Sequence, residues 1–123
     1  MKQAFLVFVG GGFGSVARYL LGKWFNSFET AIPYGTMLSN VLGSLLIGLI
    51  IGFLAKTSNF TESQSLLLVT GFCGGFTTFS TFSYENQLFL KSGDYFNFIV
   101  YTFGSLILGI MAVVLGLYLS KLI

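Results

Sequence analysis

The stretch Gly71-Phe72-Cys73-Gly74-Gly75-Phe76-Thr77-Thr78-Phe79-Ser80-Thr81-Phe82-Ser83 concentrates hydroxyls, phenyl rings and glycines inside an otherwise apolar segment. Helical spacing past the glycine pair gathers Phe79, Phe82, Ser83 and Asn86 on one face and Thr78, Thr81 and Glu85 on the adjoining face. Serine and threonine hydroxyls are donors that can replace part of an anion's hydration shell. The edge of a phenyl ring is the positive part of its quadrupole, so it can face an anion, and the ring is also a hard wall that fixes a narrow width. The alternative is structural: hydroxyls bond back to their own helix and rings pack on neighbours. The density of the run favours the anion-handling chemistry.

Other residues extend this list. Asn40, within Ser39-Asn40-Val41-Leu42-Gly43-Ser44, offers two amide donors and an acceptor, either as glue between helices or to a permeating anion. Glu85 is the one carboxylate well inside an apolar span, and an intramembrane ionisable group is a functional candidate by default. Arg18, late in the first apolar run, reads as a structural or vestibule residue able to snorkel to the interface. Tyr101, Thr102 and Ser105 form a polar face near the C-terminus, and Cys73 reads as a small packing residue. With one cysteine and no histidine, the chain has neither an intrachain disulfide nor the usual ligands and bases of a zinc site, a Cys–His nucleophile or a Ser–His–Asp triad. The run Gly10–Gly14 does not fit the dinucleotide pattern, and no Gly-Lys-Ser/Thr follows a glycine loop. The tripeptide Asn59-Phe60-Thr61 fits the glycosylation pattern, which is too common to weigh.

The elements that must position these residues are set by composition. Of 123 residues, 54% are hydrophobic and 8% are charged, against about 25% charged in soluble domains. So few charges cannot cover a surface in water, so lipid is the solvent. Four spans are expected, at about 3–24, 34–55, 64–90 and 95–120, in a single domain covering 1–123. The first fifteen residues imitate a signal peptide, but their apolar character continues to Trp24 and makes a full span. Small residues recur four apart at Gly10/Gly14, at Ser44/Gly48/Gly52 and at Ala112/Gly116/Ser120, which favours close helix approach. The third span, with two adjacent glycines and five hydroxyl residues at membrane depth, is expected to break near its middle, tolerated only inside protein or beside a polar cavity. Trp24, Tyr95 and Tyr118 fall near span ends, as interfacial aromatics do. Lys2, Lys56 and Lys121 would lie on one side of the membrane and Arg18, Lys23 and Lys91 on the other. Orientation follows Lys/Arg asymmetry, and none exists here, so dual insertion and an antiparallel homodimer are expected. The net charge of +2 is spread out, with no basic run for nucleic acid.

The runs Gly10-Gly11-Gly12-Phe13-Gly14-Ser15-Val16-Ala17-Arg18-Tyr19, Gly35-Thr36-Met37-Leu38-Ser39-Asn40-Val41-Leu42-Gly43-Ser44 and Gly71 to Ser83 together resemble the Fluc (CrcB) family of microbial fluoride channels. The resemblance covers nearly the whole chain. It implies an antiparallel dimer in the cell membrane with two fluoride pores, each using both subunits. It implies that Phe79 and Phe82 turn their ring edges to fluoride, that Asn40 is a pore residue, and that Thr81, Glu85, Tyr101 and Ser105 lie along a polar track beside them. Ser83, on the face of Phe79 and Phe82, joins the expected pore residues. It further implies a central structural sodium ion held by the main-chain carbonyls of Gly74 and Thr77. The family often has another hydroxyl one turn beyond Ser105, and here that place is Gly109.

Three other classes compete. A proton-coupled exporter of toxic cations would also be a four-span, dual-topology dimer, but it needs a carboxylate in its first span, which this chain lacks. A membrane interaction protein would leave the hydroxyl-and-phenylalanine run unused. An enzyme lacks a base, a metal cluster or a cofactor loop.

Overall fold

The computed structural model describes residues 1–123. Its long helices are α1 (Lys2–Phe25), α2 (Tyr34–Leu54) and α6 (Tyr95–Leu122), of 24, 21 and 28 residues. At 1.5 Å per residue they rise about 32–42 Å, enough to cross a hydrocarbon core of about 30 Å. The remaining span, Glu62–Ser92, is composite. It opens as α3 (Glu62–Ser65), widens into the π-helical π1 (Leu66–Cys73), tightens again as α4 (Gly74–Phe76), and resumes as α5 (Phe79–Ser92). Between α4 and α5 the chain is extended, with φ/ψ of −93°/156° at Thr77 and −148°/123° at Thr78. Four helices are thus long and apolar enough to cross a membrane.

Local chemistry sets the span ends. Thr61 forms a capping box with Gln64, each side chain accepting from the other's backbone N–H, so the third span starts at Glu62, two residues before the sequence-based expectation. It ends at Ser92 because Gly93 takes φ 77°, the left-handed conformation that glycine adopts without strain. Asp94 then caps α6 by accepting from the Asn97 N–H.

Packing follows the small residues. The most extensive contact joins α2 to α6, while α1 lies against π1 and α4, and α5 leans on α6 with a lighter contact to α2. Gly10 and Gly14 are buried. A Cβ on either would press on span-three backbone, 2.9 Å from the Phe72 nitrogen at Gly10 and 2.8 Å from the Phe76 nitrogen at Gly14. Gly48 faces Gly116 in the same way across α2 and α6, with a Cβ on Gly48 only 3.2 Å from the Gly116 Cα. In lipid no hydrophobic force pulls helices together, so this close backbone approach supplies the dispersion that does. Trp24, Tyr95 and Tyr118 are exposed near helix ends, where an aromatic belt meets the headgroups.

Candidate functional site

The break between α4 and α5 is held by side chains rather than left loose. Thr77 hands both its N–H and its hydroxyl back to the Cys73 carbonyl, at 3.1 and 2.9 Å. The Thr78 N–H donates to Asn40 Oδ1 at 2.7 Å, and Asn40 Nδ2 donates to the Thr78 carbonyl at 3.2 Å. The amide of α2 thus stands in for a missing turn of helix. Asn40 keeps one N–H of its amide beyond these two bonds. The Thr78 hydroxyl caps α5 by accepting from the Thr81 N–H at 3.2 Å. These diversions have a consequence. In a continuous helix the N–H groups of Thr78 and Thr81 would close onto the carbonyls of Gly74 and Thr77, and here both are bonded elsewhere. The two carbonyls face the unwound turn without their helical donors. Arg18 Nε donates to the Gly75 carbonyl at 3.0 Å, so α1 ties the same turn from the other side.

Beside the break lies a groove of about 490 Å³, bordered by Asn40 and Ser44 of α2, by Thr77 and Thr78, by Phe79 and Phe82, and by Ser105 and Gly109 of α6. The Ser105 hydroxyl is buried and has no hydrogen-bond partner. Burying a hydroxyl unpaired in an apolar setting costs about 1–3 kcal/mol, so native proteins ordinarily give such a group a partner. Phe79 and Phe82 stand with ring centroids 6.2 Å apart and planes tilted by 42°. Phe82 is buried and leans on Tyr101 at 5.2 Å, whereas Phe79 is 78% exposed and projects from the chain.

Glu85 sits outside this groove in a network of its own. Its Oε1 accepts from the Tyr101 hydroxyl at 2.9 Å and its Oε2 from the Thr36 hydroxyl at 3.0 Å. The Thr36 hydroxyl is approached in turn by Asn26 Nδ2 at 3.4 Å. Asn26 also accepts the N–H groups of Gly35 and Thr36 on Oδ1, at 2.7 and 3.3 Å, which serves the start of α2 as a cap from across the loop. The Tyr101 hydroxyl proton is therefore committed to Glu85. On α5, Thr81 is half-buried and Ser83 exposed, and neither borders the groove. Cys73 is buried and borders it with its neighbours Gly74 and Thr77.

Sequence reasoning passed over Thr36 and Asn26. The signal for Thr36 was its place one turn before Asn40 in a polar face of α2. Asn26 gave no local signal, because its partners lie nine and ten residues away across a turn. Asn86 and Thr102 tie α5 to α6 through a hydroxyl-to-amide bond of 2.9 Å.

Four helices long and apolar enough to cross a membrane, one of them unwound beside a groove bordered by hydroxyl and amide side chains, mark a multi-pass membrane protein. The family profile described as "CrcB-like protein, Camphor Resistance (CrcB)" matches residues 5–117, and the chain belongs to that family. A protein named fluoride-specific ion channel FluC from Gloeothece citriformis is 48% identical over 122 residues, covering 98% of both chains. Relatives of the same name from Phocaeicola vulgatus and Chlorobium chlorochromatii are 47% and 46% identical, covering 98% and 94% of this chain and 100% and 90% of their own. These relatives are named as ion channels, not enzymes.

Proposed function

We propose that this chain conducts fluoride passively and selectively across the cell membrane, lowering cytoplasmic fluoride, with two pores in each antiparallel dimer. The observation that carries this reading is the groove, where the unpaired Ser105 hydroxyl lies with the Phe79 and Phe82 rings and the Asn40 amide. Fluoride is small and strongly hydrated, so only several close donors can offset its dehydration, while a slot walled by rings excludes larger anions. Ring edges offer positive charge density without a proton. Hydroxyls and the spare Asn40 N–H offer hydrogen bonds. The names of the relatives support fluoride as the ion. Thr81, Ser83, Glu85 and Tyr101 are proposed as the polar flank of the same pathway.

Liposomes loaded with potassium fluoride and given a potassium ionophore test this function. Efflux of fluoride with no pH gradient supports a passive channel, whereas no fluoride efflux, with transport of a toxic organic cation driven by a pH gradient, supports the proton-coupled cation exporter instead.

The dimer reading rests on two features. The Lys/Arg count is equal on the two sides, and Phe79 projects from a single chain at 78% exposure, leaving that wall of the groove open. A second, inverted copy would close it. Reporters fused to the C-terminus should be found on both sides of the membrane in comparable amounts. A single orientation in every cell would remove the antiparallel dimer from the account.

The carbonyls of Gly74 and Thr77, each deprived of its helical donor, suit a hard cation such as sodium, as unwound carbonyls in broken membrane helices do. When bound, the ion would supply positive charge to an unwound turn. Gly74 and Thr77 would hold it, and Asn40 and Arg18 would keep the turn in shape around it. Exchange of sodium for a large organic cation should weaken dimer association and slow fluoride flux together. Unchanged dimer stability and flux after exhaustive sodium removal would rule this role out.

A further inference from the structure

Along α6, hydroxyl chemistry beside the groove ends early. Ser105 borders it, but one turn on stands Gly109, and beyond that the bordering residues of α6 are the apolar Ile110 and Val113. On α2, Asn40 and Ser44 border the same groove one turn apart. A Cβ placed on Gly109 would lie 3.6 Å from Ser44 Oγ. That is ordinary van der Waals contact, so Ser44 Oγ stands beside the space where a side chain at position 109 would be, and a hydroxyl placed there would be its neighbour. We propose that Ser44 is an ion-contacting residue of this pathway, delivering from α2, across Gly109, the hydroxyl that follows Ser105. This rests on the fluoride-conduction reading.

The hydroxyl is free to serve in that way. Ser44 Oγ donates to the Asn40 carbonyl at 2.8 Å, a bond that serves an acceptor already included in the α2 ladder. A hydroxyl hydrogen rotates to suit its partner, so the proton can turn from its own helix toward an anion while α2 stays intact. With no ion near, the same oxygen presents lone pairs to water. Ser105, buried and unpaired, and Ser44, bonded only to its own helix, would then hand an anion from one helix to the other. Without Ser44 the side chains that α2 and α6 bring to the groove past Ser105 would be Ile47, Ile110 and Val113, none of which carries a donor.

The test uses fluoride efflux from liposomes holding purified protein, measured for the wild type, Ser44→Ala, Ser44→Cys and the double variant Ser44→Ala with Gly109→Ser. Loss of one charge-assisted hydrogen bond predicts efflux slowed about tenfold or more in Ser44→Ala. Ser44→Cys, nearly isosteric but a weak donor, should slow it similarly. The double variant returns a hydroxyl to the same space from α6 and should recover most of the wild-type rate. Wild-type efflux in both single variants would overturn the proposal. So would slowed efflux that the double variant does not recover, since that pattern belongs to a packing role. If the wild type itself carries no fluoride, the conduction reading fails, and the role of Ser44 falls with it. If the wild type conducts and the rescue pattern is absent, Ser44 alone is refuted.

Discussion

Phe79→Ile and Phe82→Ile will each slow fluoride efflux roughly ten- to thirtyfold. The figure comes from the ring quadrupole. A desolvated cation over a ring face gains about 2 kcal/mol. The positive ring edge facing an anion draws on the same quadrupole with charges reversed, so a gain of the same order is expected, and each 1.4 kcal/mol on a barrier is about tenfold in rate. Isoleucine keeps apolar bulk and removes the quadrupole, so the electrostatic and steric roles of the ring separate. The two positions also differ in a way that checks the mechanism. Phe82 is buried against Tyr101, so its replacement should in addition cost about 0.5–1.5 kcal/mol of stability. Phe79 is 78% exposed in the chain, so its replacement should leave the fold of the chain unperturbed while flux still falls. Thermal unfolding in detergent, read beside efflux on the same preparations, gives both quantities. A packing role predicts the opposite order, with stability lost at Phe82 and near-normal flux in both variants.

Asn40→Ala will disable the protein at two levels. It removes the acceptor for the Thr78 N–H and the donor for the Thr78 carbonyl together. A fully buried group left unpaired costs about 1–3 kcal/mol. Both bonds here are part-buried, so the loss is about 2 kcal/mol together and falls on the turn that defines the site. Efflux should drop below detection, and the melting midpoint should fall. Asn40→Asp is the sharper comparison. It keeps an acceptor for the Thr78 N–H but confronts the Thr78 carbonyl with a second acceptor, and it adds negative charge beside an anion's route. It should retain more stability than the alanine variant and still abolish flux. Wild-type stability in Asn40→Ala would show that the amide is dispensable to the break, and wild-type flux in Asn40→Asp would show that no anion passes it.

The sequence made the spans legible because lipid permits so few solutions. The ends of α1 and α2 lie within a residue of the apolar pattern. The break was legible in kind, from hydroxyls and glycines at membrane depth, but of these the threonines and not the glycines take part in it, together with Asn40. Gly74 and Gly75 remain helical, and a Cβ on Gly75 would lie 2.9 Å from the Gly11 Cα, so that glycine serves close approach to α1. The chain unwinds one step later, at Thr77 and Thr78, because Asn40 and the two threonines offer the backbone other partners. The threonine bonds are local, but the part that Asn40 plays is tertiary and leaves no local trace. The π-helical stretch Leu66–Cys73 was hidden for a related reason. Its apolar run fits a helix of any pitch, and its widened turns lie where Gly10 packs against the carbonyl of Leu67 and the nitrogen of Phe72. At the site, ring spacing on α5 was readable from helical periodicity. The division of polar residues into a groove around Ser105 and a separate Glu85–Tyr101–Thr36 network was not, because it depends on how α2, α5 and α6 meet.

The central claim is that the groove beside the break selects fluoride by close donors and ring-walled width. The direct measurement is a paired efflux assay in which liposomes containing the purified protein are loaded with equal fluoride and chloride, and both ions are followed with ion-selective electrodes under a potassium shunt. The account predicts rapid release of fluoride with chloride retained at the level of protein-free liposomes. Release of both ions at similar rates, or of neither, would contradict it.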